Sequence, residues 1–186
     1  MNFLEQLNTT NSQQNQQTYG YVLTVPILEL EGEYTLIPDK DLTITSNCKT
    51  IIKCHKITII ANNTLCFTNI NFEAQISICN SSNVRFSDCS IVNTKIEKES
   101  LSISNVQSIS LSNVVITNTK KHHIIMITLN SNVTADNLNL NDSKESIISC
   151  KNESTLYIKN SILSNAKGNA IYISNNSKFP EVSKYL

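Results

Sequence analysis

A chain of 186 residues fits one domain and is long enough to bury a substantial core. Its 15 basic and 15 acidic side chains cancel, so net charge gives no ground for binding nucleic acid or an acidic membrane. Three glycines (Gly20, Gly32, Gly168) are too few for a phosphate-cradling fold, while abundant Ile, Asn, Ser and Thr favour strands and turns.

Residues 1–20, rich in Gln and Asn, read as a disordered N-terminal tail. They lack the basic start and apolar run of a signal peptide, and no later stretch approaches the roughly 18 apolar residues of a membrane span. The expected location is therefore cytoplasmic, with secretion as the alternative. Seven Asn-x-Ser/Thr sequons carry little weight, because 26 Asn and 40 Ser or Thr give about six by chance. Six cysteines (Cys48, Cys54, Cys66, Cys79, Cys89, Cys150) read as reduced thiols. They form no CxxC, and His55, His122 and His123 have no zinc spacing, so no metal and no cofactor is expected.

Residues 21–56 are expected to form an N-terminal cap and lead-in strands, followed by coils over 57–178. Within those coils three short apolar-x-apolar pairs return every 23 to 25 residues, after a shorter first coil of 19. The first pair runs Ile76-x-Ile78, Leu101-x-Ile103, Ile125-x-Ile127, Ile148-x-Cys150 and Ile171-x-Ile173. A second begins six residues later: Leu65-x-Phe67, Val84-x-Phe86, Ile109-x-Leu111, Val133-x-Ala135, Leu156-x-Ile158. The third runs Ile70-x-Phe72, Cys89-x-Ile91, Val114-x-Ile116, Leu138-x-Leu140, Ser161-x-Leu163. Both members of such a pair point to one face of a strand, and three isolated strands cannot bury that face alone. Stacked as coils about 4.8 Å apart, they can.

Asparagines keep the same register. Asn69, Asp88, Asn113, Asn137 and Asn160 follow the second strand, and Asn93, Asn118, Asp142 and Asn165 follow the third. After the first strand stand Asn80, Asn105, Asn152 and Asn175, with Leu129 in place of an Asn. Asn accepts left-handed backbone angles, and stacked amides can bond to one another. The fold class expected is all-β: a right-handed parallel β-helix of about five to six coils with three short strands per coil.

These columns, with the sharp turn after the second strand and the stretch "LELEGEYTLIPDKDLTITSNCKTIIKCHKITIIANNTLCFTNINF" (28–72), resemble the pectin-lyase-like superfamily of β-helices. The resemblance covers about residues 28–178. It implies a fold shared by lyases, hydrolases, adhesins and non-catalytic modules. Pectin-degrading members use carboxylates clustered on the outward first-strand face. Here those positions are Ser77, Ser102, Met126, Ser149, Tyr172 and then Cys79, Ser104, Thr128, Lys151, Ser174, without one acid. No catalytic residue is assigned, and a polysaccharide lyase or glycoside hydrolase is the alternative reading.

Two residues beyond the last Asn column stand Lys95, Lys120, Lys144 and Lys167, with Lys121 beside them. In register they line one edge, and like charges so close repel unless an acid or an anionic partner is present. They are the candidate ligand-binding residues, for an extended anionic glycan or an acidic protein segment. The alternative is a solvated edge compensated by Glu97, Glu99 and Glu145. No nucleic acid is expected as partner. Residues 179–186 read as an incomplete coil: Phe179 starts the next second strand and Pro180 interrupts it. Either Pro180 blocks the sheet edge or the chain is part of a longer multidomain protein, and the second reading is favoured.

Overall fold

The computed structural model describes residues 12–15, 20–94, 98–118 and 122–180, with Ser12–Asn15 and Asn118 as backbone. Among them there is no helix. The chain forms β1 (Ser12–Asn15), β2 (Gly20–Leu23), β3 (Ile27–Glu29), β4 (Glu33–Leu36), β5 (Leu42–Ser46) and β6 (Ile51–Ile59). It continues as β7 (Thr64–Thr68), β8 (Asn71–Ser87), β9 (Ser90–Asn93), β10 (Leu101–Asn118) and β11 (Ile125–Thr128). Last come β12 (Asn132–Ser143), β13 (Ile148–Cys150), β14 (Thr155–Lys159), β15 (Ile162–Ala166) and β16 (Ile171–Ile173). Except for the β1–β2 pair these strands run parallel, each bonded to the strand about one coil away, in a right-handed β-helix of about six turns.

The apolar columns are the ladder registers. Ile76 pairs with Leu101, Leu101 with Ile125, Ile125 with Ile148 and Ile148 with Ile171. On the second side Leu65, Val84, Ile109, Val133 and Leu156 stack in that order. From Ile57 to Ile158 the inward members of these columns are at most 3 % exposed. Each such side chain contributes about 1.5–3 kcal/mol on burial, which is how three-residue strands become stable together. The widest part of the core is aromatic. Phe67 and Phe86 stack at 5.0 Å between centroids, and Phe72 meets both edge-on.

Winding begins earlier than the sequence pattern indicates. β2 pairs with β5, and β3 and β4 pair with β6, all parallel, so residues 20–59 are already coiled in register with the rest. The expected boundary at 56/57 has no counterpart in the strand pairing. The columns there are hidden by unequal corner lengths and by β6, which turns a corner through a bulge between Lys53 and Lys56. Within the tail expected to be disordered, Ser12–Asn15 form β1, antiparallel to β2.

The sharp turn after the second strand has the backbone that the Asn column implies. Asn69, Asp88, Asn113, Asn137 and Asn160 all have φ between 50° and 59°. Side-chain amides link them: Asn113 donates to Asp88 at 2.9 Å and Asn137 to Asn113 at 2.9 Å. At the top the ladder sidesteps, because Asn160 donates to Asp136 rather than to Asn137. After the first strand, Asn105 donates to Asn80 and Asn175 to Asn152, both at 2.8 Å. Leu129 separates those two pairs, yet it too has φ 56°.

The third Asn column is not a continuous ladder. Asp142 and Asn165 are left-handed, and Asn165 donates to Asn141 and Asp142. Asn93 is fully buried, is not among the left-handed residues, and donates to the Lys98 and Glu99 carbonyls of its own loop. The Asn118 backbone lies in register with Asn93, and its side chain falls outside the described residues.

Candidate functional site

From Ile57 onward, length variation in the coils is confined to one corner. First-strand to second-strand spacing is six residues throughout (Ile59 to Leu65, Ile78 to Val84, Ile127 to Val133). Second to third is three (Phe67 to Ile70, Leu111 to Val114, Ala135 to Leu138). Third to first changes from four residues (Phe72 to Ile76) to ten (Ile91 to Leu101), nine (Ile116 to Ile125) and eight (Leu140 to Ile148). The candidate lysines stand in this variable corner.

Of these lysines the structure describes Lys144 and Lys167; Lys95, Lys120 and Lys121 lie outside the described residues. Ser143 is in register with Ala166, and the Lys167 N–H donates to the Ser143 carbonyl at 3.0 Å, so the two lysines sit at successive levels. Both are exposed, and neither is in an ion pair among the described residues. Gly168 allows the close approach of these two turns. A Cβ there would come within 2.9 Å of the Glu145 carbonyl carbon and the Ser146 nitrogen.

Two of the acids expected to compensate this edge are turned elsewhere. Glu145 faces His123 Nε2 at 3.3 Å and His122 Nδ1 at 3.9 Å, while His123 Nδ1 lies 2.9 Å from the Ser146 carbonyl. The two histidines thus stand on either side of one carboxylate. Glu99 is 8 % exposed and accepts from Gln75 Nε2 at 3.4 Å. Glu97 lies outside the described residues.

On the outward first-strand face, Thr58, Ser77, Ser102, Met126, Ser149 and Tyr172 follow one another in register. Lys151 Nζ lies 5.4 Å from the Tyr172 ring centroid. Ser149 keeps its place in that column but is fully buried between the Met126 and Tyr172 levels, and its Oγ has no hydrogen-bond partner. The exposed Arg85 lies beside Cys66 in the second-strand outward column. The six cysteines are free thiols; burial pushes Cys66, Cys89 and Cys150 up. Among the described residues no group of His, Cys, Asp and Glu could hold a metal ion.

One column escaped the sequence pattern. Ser81, Ser131, Ser154 and Ser177 each accept, through Oγ, a backbone N–H from the coil below: Ala61, Val106, Ser131 and Ser154. The first lies three residues before its second strand and the next two lie two before theirs. The later coils turn through two left-handed residues (Leu129–Asn130, Asn152–Glu153, Asn175–Asn176), where the earlier ones use one. That shift breaks the periodicity by one position. No protein family, curated protein or solved structure matches the chain.

Proposed function

We propose that this β-helix is a non-catalytic binding module of the pectin-lyase-like kind, which holds an extended anionic ligand along its variable corner. The supporting observation is that Lys144 and Lys167 stack one level apart, exposed and without a described carboxylate, while the Glu145 carboxylate lies beside His122 and His123. Ammonium groups spaced by about 4.8 Å per level repel one another, and a chain of regularly spaced carboxylates relieves that repulsion. Acidic glycans have this chemistry, and so do acidic protein segments.

The test compares the native chain with Lys144→Glu/Lys167→Glu on immobilised polygalacturonate and polyglutamate, at low and high salt. The native protein should bind at low salt and release as screening rises. The double variant should lose binding at an unchanged melting temperature, because neither lysine is part of the core. Equal binding by both proteins, or no salt-sensitive binding to either polymer, would overturn the reading.

A further inference from the structure

His122 and His123 share the variable corner with the lysine stack, and the backbone around them is pinned. The buried Ser143 Oγ accepts the Glu145 N–H at 3.2 Å, and its own proton faces the His122 and Ser146 carbonyls at 3.2 and 3.1 Å. One level on, the Gly168 N–H donates to the Glu145 carbonyl and the Lys167 N–H to that of Ser143. Any change of contact here therefore falls to the Glu145 side chain, which is 43 % exposed.

The histidine geometry depends on the number of protons the rings carry. His123 Nδ1 stands 2.9 Å from the Ser146 carbonyl, a distance that needs a proton on Nδ1. In the neutral ring that leaves Nε2 bare, with its lone pair towards Glu145 Oε2 at 3.3 Å. A lone pair and a carboxylate repel. Only the imidazolium presents an N–H to both acceptors. His122 Nδ1 faces the other carboxylate oxygen at 3.9 Å, beyond hydrogen-bonding range, so that contact is favourable only as a charge pair. Among the described residues the charged groups of the neighbouring turns are few. Lys98 and Glu99 precede β10 on the coil below, Lys144 and Glu145 stand on the coil above, and Lys167 one level further. Glu99 is buried against Gln75. Lys95, Glu97, Lys120 and Lys121 lie outside the described residues.

We infer that protons switch this edge through Glu145. When both rings are charged, its carboxylate turns in to the histidines and leaves Lys144 and Lys167 bare; when they are neutral, it is released to screen those lysines. The switch rests on the anionic-ligand function proposed for this corner. Imidazole gains its proton between about pH 7.5 and about pH 5.5, a range over which lysine stays charged. The described charges of the corner then rise from +1 (Lys98, Lys144 and Lys167 against Glu99 and Glu145) to +3. Each added charge about 6 Å from a ligand carboxylate strengthens binding roughly threefold in water, so acidification should tighten it about tenfold.

Two measurements on the full chain test the switch. Ring 15N shifts of the native protein at about pH 8 should show the neutral His123 ring with its proton on Nδ1; a proton on Nε2 overturns the switch. Polygalacturonate, whose carboxylates stay ionised throughout, should bind the native chain about tenfold more tightly at about pH 5.5 than at about pH 7.5. His122→Gln/His123→Gln should lose that gain, with His55 still in place as an internal control. Glu145→Gln should bind more tightly than the native chain at about pH 7.5 and gain less on acidification, because it has no carboxylate to withdraw. Should the histidine variant not fold, Glu145→Gln decides alone. A gain equal to the native one in either variant, or a native chain that binds equally at both pH values, overturns the switch and leaves the anionic-ligand function standing. A native chain that binds at neither pH overturns both.

Discussion

Asn137 Nδ2 donates to Asn113 Oδ1 one coil below, at 2.9 Å, and Asn113 passes the bond on to Asp88. A residue in this column therefore does two jobs, holding φ near 55° and linking three coils. Substitution separates them. Asn113→Gly keeps the backbone freedom and loses the links, at a cost of about 1 kcal/mol. Asn113→Ala loses both, at a cost about 1 kcal/mol greater again. Equal denaturation midpoints for the two variants would mean that the left-handed angle carries no strain.

Leu129 is the complementary case. It holds φ 56° without an amide, is half exposed, and interrupts the ladder between Asn105 and Asn152. Leu129→Asn should relieve a left-handed leucine and restore the missing rung, raising stability by about 1 kcal/mol with no cavity left behind. A lower melting temperature would show that the leucine side chain contributes packing that its exposure conceals.

The buried Ser149 hydroxyl has no partner, so the fold carries its desolvation without return. Ser149→Ala removes the orphan and should stabilise the protein by up to about 1 kcal/mol, measured by urea denaturation. Destabilisation would show that the hydroxyl is hydrogen-bonded in solution.

Asp136 accepts from Asn160 Nδ2 and lies 3.0 Å from Lys159 Nζ; together these hold its carboxyl below the ordinary carboxylate value. A group depressed in the folded state stabilises it above the unfolded pKa, and that contribution is lost as pH falls through the folded pKa. Asp136→Asn should therefore be less stable than the native chain at pH 7, with the difference closing below about pH 4. A difference independent of pH would assign the loss to packing.

The columns were legible in the sequence because apolar-x-apolar pairs and Asn turns return at nearly constant distance from Ile76 onward. Residues 20–56 were not, since their corner lengths differ from those of the later coils and β6 bends through a bulge. The Ser81, Ser131, Ser154 and Ser177 column was hidden by the one-residue shift between single and double left-handed turns. Asn93 matched the sequence column yet serves its own loop, because composition alone does not reveal which way an amide turns. Asp136 belongs to none of the sequence columns, and only the ladder's sidestep at Asn160 gives it a role. In the variable corner Lys144 and Lys167 stand at successive levels, and the approach of His122 and His123 to Glu145 is legible only in three dimensions.

The fixed spacing of two corners gives the third an unusual freedom. Four, eight, nine or ten residues can bridge it while every core side chain keeps its place. Loop length there is decoupled from folding, so the scaffold works as a ruler that displays unrelated loops at a constant pitch of about 4.8 Å. Foreign segments grafted between Leu140 and Ile148 should be carried at that pitch, in a fixed row, with the barrel beneath them unaltered.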